Sequence, residues 1–84
     1  MEKSVFTQEY QVFLRLLRET RLQKGLTQVQ LAERLGETQS WVSKWERGEH
    51  RLDIIELWKV CRAMEVSFVQ FAEMLESTLS RQET

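Results

Sequence analysis

The absence of proline constrains this chain more than any other feature. Across its 84 residues no position carries the fixed φ and missing N–H that break a helix from within. Punctuation falls instead to three glycines, Gly25, Gly36 and Gly48, each following apolar residues spaced three and four apart. Glycine in that place closes a helix by adopting the left-handed backbone conformation. No strand-like alternation lasts more than a few residues, and no repeat or low-complexity segment occurs. The chain reads as all-α.

Helix starts are as legible as the stops. Thr7 caps a helix expected from about Gln8 to Lys24, with Tyr10, Phe13, Leu14 and Leu17 as its buried stripe. Thr27 and Gln30 form a T-x-x-Q capping box that opens a second helix, whose Leu31, Ala32 and Leu35 face inward. Thr38 caps a third, which Gly48 stops. Asp53 with Glu56 forms another box, before Ile54, Leu57, Cys61 and Met64 of a fourth helix. Ser67 with Gln70 forms the last, before Phe68, Phe71, Ala72, Leu75 and Leu79 of a fifth. One domain over residues 1–84 is expected, since a chain of this size buries only roughly 60–65% of its unfolded surface and supports one small core.

Several function classes recede on composition. No apolar run approaches the ~18 residues of a membrane span, and MEKSVFTQEY contains no signal-peptide core, so no membrane partner is expected. The single cysteine, Cys61, sits among apolar residues and reads as a small buried hydrophobe, which fits a reducing, cytoplasmic setting. His50 is the sole histidine and has no visible carboxylate–His or Cys–His constellation around it. Without a phosphate-cradling glycine loop, a paired-carboxylate cleft or metal-ligand spacing, neither an enzyme nor a cofactor or metal site is expected. The net charge of −1 is unevenly placed: residues 1–52 carry 9 Lys/Arg against 7 Asp/Glu, and residues 53–84 carry 3 against 6.

Between the second and third helices lies only Gly36-Glu37, a link short enough to set two helices at a steep angle as a helix-turn-helix. Ala32 suits a close crossing there. Within ETQSWVSKWERGE, Val42 and Trp45 share one face and belong to the core. Ser40, Ser43, Lys44 and Arg47 fall at i, i+3, i+4 and i+7 on another face, with Gln39 beside them at the N-terminal turn. A solvated helix can carry such a stripe. This one, however, holds hydroxyls, an amide and cations without a carboxylate, and it lies where such helices meet base edges in the major groove. Gln39 is the foremost candidate for direct readout, because a Gln amide can pair bidentately with adenine. Lys44 suits guanine or a phosphate equally. Trp41 suits either packing over the helix junction or contact with a thymine methyl.

LRLLRETRLQKGLTQVQLAERLG, TQSWVSKWERG and AMEVSFVQF together resemble the Cro/cI-type (Xre) helix-turn-helix family of bacterial and phage regulators, over residues 14–75. The resemblance implies a five-helix, lambda-repressor-like fold and double-stranded DNA as the partner. It implies base-facing positions at Gln39, Ser40, Trp41, Ser43 and Lys44, and phosphate-facing ones at Thr27, Gln28, Arg47, His50 and Arg51. Gln28 also stands where the family braces its first recognition residue. Arg21 and Glu46 match an ion pair tying the first helix to the end of the third. The chain departs from the family's pattern at Glu37, Leu52 and Glu65, the last replacing a glycine common after the fourth helix. Glu37 and Glu49 weaken phosphate attraction, so binding is expected to depend on dimerisation and on salt.

Ile55, Trp58, Val69, Met74 and Leu79 are not all absorbed by one core stripe and suit a two-fold contact between copies; Val12 and Leu16 also lie off the first helix's main stripe. A homodimeric regulator on a pseudo-palindromic operator is the leading expectation. The alternative keeps the fold and adds a protein partner: an antitoxin that neutralises a toxin and autoregulates its operon.

Overall fold

A computed structural model describes residues 7–83, which form five helices: α1 Gln8–Gln23, α2 Gln28–Leu35, α3 Gln39–Glu46, α4 Ile54–Ala63 and α5 Phe68–Glu83. No strand occurs among the described residues. The caps explain these boundaries. Thr7, Thr27 and Thr38 each accept a backbone N–H from three residues on, at 3.0–3.1 Å. The boxes at Thr27–Gln30 and Asp53–Glu56 are both reciprocal. Ser67 likewise accepts from Gln70 N at 3.1 Å. Each such cap satisfies N–H groups that no helical carbonyl can reach, and is worth about 1 kcal/mol.

Gly36 sits at φ 69° and ψ 30°, and nothing lies within 4 Å of where its Cβ would be. Backbone conformation, not crowding, therefore requires glycine at the α2–α3 turn. Glu65 adopts the same region, with φ 62°, directly after α4. It closes that helix as a glycine would, Val66 N donating to Cys61 O at 3.0 Å, but with a side chain that disfavours the conformation.

Leu17, Leu31, Val42, Trp45, Val60, Cys61 and Met64 form the fully buried centre. The helix pairs α1 with α3, α1 with α5, α2 with α4, and α4 with α5 pack around it, and α2 packs on α3. Three expectations are corrected here, one of them Ala72, which stands exposed on α5 although it was expected within that helix's apolar set. Val12 and Leu16, outside α1's anticipated stripe, are buried, because α1 is covered by α3 on one side and α5 on another. Ile54, anticipated within the apolar stripe of α4, is 62% exposed, since it occupies the first turn beyond the reach of neighbouring helices. Leu79 is half-buried and packs against the core, whereas Ile55, Trp58, Val69 and Met74 are exposed. No helix among the described residues is long and apolar enough to cross a membrane.

Candidate nucleic-acid interface

Helix α3 is short and divided. Its inner face sends Val42 and Trp45 into the core with no exposure. Trp45 Nε1 is buried without a hydrogen-bond partner, a desolvation penalty of roughly 1–3 kcal/mol that the ring's large apolar burial must outweigh. On the outer face Gln39, Ser40, Lys44 and Arg47 are exposed, and Ser43 is half-buried. Trp41 lies between the two faces. Its half-buried ring stands edge-on to Trp45, centroids 6.3 Å apart at 73°, and 5.7 Å from the His50 ring. This places Trp41 as a wedge between α3 and the loop that follows.

Behind the outer stripe runs a chain of hydrogen bonds that starts in the core. Arg21 on α1 donates from Nε to Glu46 Oε2 at 2.7 Å and from Nη2 to Glu46 Oε1 at 3.1 Å. Its Nη1 donates to the Leu26 carbonyl at 2.8 Å, so both the guanidinium and the α1–α2 loop are fixed. The two charged side chains are 8% and 4% exposed, and they compensate each other at short, bidentate geometry. Glu46 Oε1 also accepts from Gln28 Nε2 at 2.9 Å, and Gln28 Oε1 accepts from Gln39 Nε2 at 2.7 Å. A buried pair and an exposed amide are thus one connected network.

The remaining cations on this side are also held. Arg47 Nε and Nη2 donate to Glu49 at 3.0 and 3.1 Å, and Nη1 donates to Ser43 Oγ. The hydrogen bonding between Arg47 and Glu49, reinforced by their opposite charge, holds the Glu49 carboxyl below the usual carboxylate range and raises Arg47 in return. Arg51 lies 4.3 Å above the Tyr10 ring, whose hydroxyl accepts from Leu52 N at 3.2 Å. Through these contacts α1 pins the α3–α4 loop. His50 Nε2 stands 3.4 Å from Glu56 Oε2, correcting the expectation that no carboxylate lies near it. Glu56 is already engaged in the α4 capping box. Thr27 is taken up as the N-cap of α2. Lys44 is exposed beside Ser40 and Gln39, close enough to Glu49 to add to the charge that holds that carboxyl low.

Of the connections not anticipated from sequence, two differ in what they leave to be read there: Glu46 to Gln28, and Arg47 to Glu49. The second leaves a signal, an Arg and a Glu straddling Gly48, because a glycine turn lets neighbours fold back on each other. The first leaves none, since residues 18 apart meet only through the tertiary fold. Cys61 is fully buried, and burial pushes its thiol up to about 11, leaving it protonated and unreactive. Among the described residues no group of three or more His, Cys, Asp or Glu could hold a metal.

Comparison with known proteins agrees with this geometry. A helix-turn-helix family model matches residues 17–71. An uncharacterized HTH-type transcriptional regulator, y4dJ of Sinorhizobium fredii, is 36% identical over 66 residues, covering 79% of this chain and 80% of that protein. The structure of an XRE-family like protein from Pseudomonas syringae pv. tomato superposes with a TM-score of 0.79 at 44% identity, covering 84% of this chain and 89% of the other. The restriction-modification controller protein C.Esp1396I, solved as a tetramer in complex with its natural 35 base-pair operator, gives a TM-score of 0.74 at 32% identity, covering 90% of this chain and 95% of the other. With its five helices, its glycine-turned α2–α3 pair and its outward-facing α3, the chain belongs to the Xre family of helix-turn-helix transcriptional regulators.

Proposed function

We propose that this regulator binds double-stranded DNA sequence-specifically in the cytoplasm, as a homodimer on a pseudo-palindromic operator, and performs no catalysis. Helix α3 enters the major groove. Gln39, Ser40, Ser43 and Lys44 face base edges, and Trp41 lies at the groove wall. Thr27, Gln28, Arg47, His50 and Arg51 lie along the phosphates. The observation that carries this reading is Gln39: an exposed amide at the first turn of α3, held from behind by Gln28 and through it by a buried ion pair. An amide so fixed has lost its rotational freedom before any ligand arrives, which suits readout better than solvation. The operator complex of the related controller protein supports duplex DNA as the ligand. A two-fold contact through Ile55, Trp58, Val69 and Met74, with Leu79 at its inner margin, would set the two α3 helices about 34 Å apart, one turn of DNA.

The test is to titrate Gln39→Ala and Lys44→Ala against a duplex selected by the wild-type protein and against its scrambled counterpart. Gln39→Ala is expected to lose about 1–3 kcal/mol of discrimination between the two. Lys44→Ala is expected to weaken the selected duplex, and also the scrambled one if it meets a phosphate. Unchanged binding by both variants would remove α3 from the interface.

A further inference from the structure

We propose that Arg21 and Glu46 are positioning residues for base choice, because they set the direction in which the Gln39 amide presents its donor and acceptor. This rests on the reading of Gln39 as a base-facing residue. The reasoning is one of hydrogen-bond polarity. Arg21 can only donate, and an ionised carboxylate can only accept. Glu46 therefore takes two bonds from Arg21 and obliges Gln28 to turn its Nε2 inward, at 2.9 Å. That leaves Gln28 Oε1 pointing outward, where it can only accept, and Gln39 must turn its own Nε2 toward it, at 2.7 Å. Every amide flip along the path is fixed by the guanidinium at its buried end.

The consequence lies at the free end of Gln39. With one N–H committed to Gln28, the side chain retains one N–H donor and its carbonyl acceptor. That pair matches adenine, which offers an N7 acceptor beside an N6 donor in the major groove. Guanine offers two acceptors, N7 and O6, and would be served by the opposite flip, in which the Gln39 carbonyl bonds to Gln28 and both N–H groups are free. The opposite flip requires Gln28 to direct its carbonyl at Glu46, setting acceptor against acceptor. The buried pair thus favours adenine over guanine without approaching the DNA.

Removing the polarity while keeping the volume tests this. In the Arg21→Met/Glu46→Leu double variant a buried ion pair is exchanged for apolar side chains, a change that folded proteins often tolerate. Gln28 and Gln39 are then free to flip together. Measured against duplexes differing only by A·T or G·C at the position that Gln39→Ala identifies, the double variant is expected to lose at least about fivefold of the wild-type preference for adenine, the lower end of what one bidentate contact provides. The salt dependence of binding should stay as in the wild type, because no phosphate-facing cation has changed. A melting curve confirms that the variant is folded. A folded variant that keeps the wild-type adenine preference overturns the proposal, as does a wild type that prefers guanine there. If the wild type selects no sequence at all, the reading of the interface fails instead. Neutron diffraction from the deuterium-exchanged wild type then still decides the polarity, since it distinguishes amide nitrogen from oxygen. Deuterons on the Gln28 atom facing Gln39 would overturn the proposal even if the double variant did not fold.

Discussion

The two outward faces of this small protein are built on opposite principles. On the α3 face nearly every polar group already has a partner: Gln39 has Gln28, Arg47 has Glu49 and Ser43, and Arg51 has the Tyr10 ring. On α4 and α5 several apolar side chains are left exposed, with Ile54, Ile55 and Val69 each more than half open to solvent. Trp58 is 41% exposed, with the Arg62 guanidinium 4.8 Å above its ring. Pre-paired polar groups give directional contacts whose value lies in discrimination, because their geometry is set before binding. Uncovered apolar groups give contacts that depend on area and carry little direction. The first suits a ligand that must be told from near copies of itself. The second suits a second copy of the chain.

The largest expected effect attacks the root of the polar face. Glu46→Ala leaves the Arg21 guanidinium buried with only the Leu26 carbonyl, and should destabilise the fold by roughly 3–5 kcal/mol. A melting temperature close to wild type would mean that the two faces do not differ in this way. On the apolar face, Ile55→Glu with Trp58→Glu should convert the protein to a monomer in sedimentation while leaving its melting at high dilution nearly unchanged. A dimer that survives both substitutions would place the two-fold contact elsewhere.

A smaller effect concerns the turn between α4 and α5, where Glu65 occupies the left-handed region. Glu65→Gly removes an αL strain of about 1–2 kcal/mol and returns part of it as unfolded-state entropy, for a net gain of roughly 0.5–1 kcal/mol. Its loose contact with Arg34, 3.8 Å away and exposed, should contribute nearly nothing. Denaturant midpoints measure this, and a loss of stability would contradict it. The smallest effect is electrostatic. Because the folded protein holds the Glu49 carboxyl below its ordinary range, the Arg47–Glu49 pair persists at neutral pH and is lost only as pH falls through that depressed value. Mild acidification should therefore leave this pair intact. Glu49→Gln frees Arg47 directly and should steepen the slope of log affinity against log salt by about 0.9, one additional phosphate. An unchanged slope would remove Arg47 from the phosphate contacts.

What could be foreseen from sequence divides along a physical line. The five caps, the turn at Gly36 and the inward set of Val42 and Trp45 are local matters, fixed by residues within a turn or two of each other. Each was legible. The burial of Val12 and Leu16 depends on α1 being covered from two sides, and the exposure of Ile54 depends on how far neighbouring helices extend. Neither follows from periodicity, which gives the direction of a stripe but not its width. At the site, the residue types on α3 were plain, and their resemblance to a known family supplied the Arg21–Glu46 pair. The junction of that pair with Gln28 was hidden, because it brings together three helices. Glu65 was visible as a departure from the glycine that the resemblance implies, and its φ of 62° is one that such a glycine would adopt freely.

One measurement bears most directly on the division between a reading face and a pairing face: selection of binding sites from random duplex DNA by the purified wild-type protein. The account predicts an enriched pseudo-palindrome, its half-sites about one helical turn apart, with adenine at the position whose preference disappears in Gln39→Ala. Recovery of no common sequence, or of a motif that Gln39→Ala leaves intact, would contradict it.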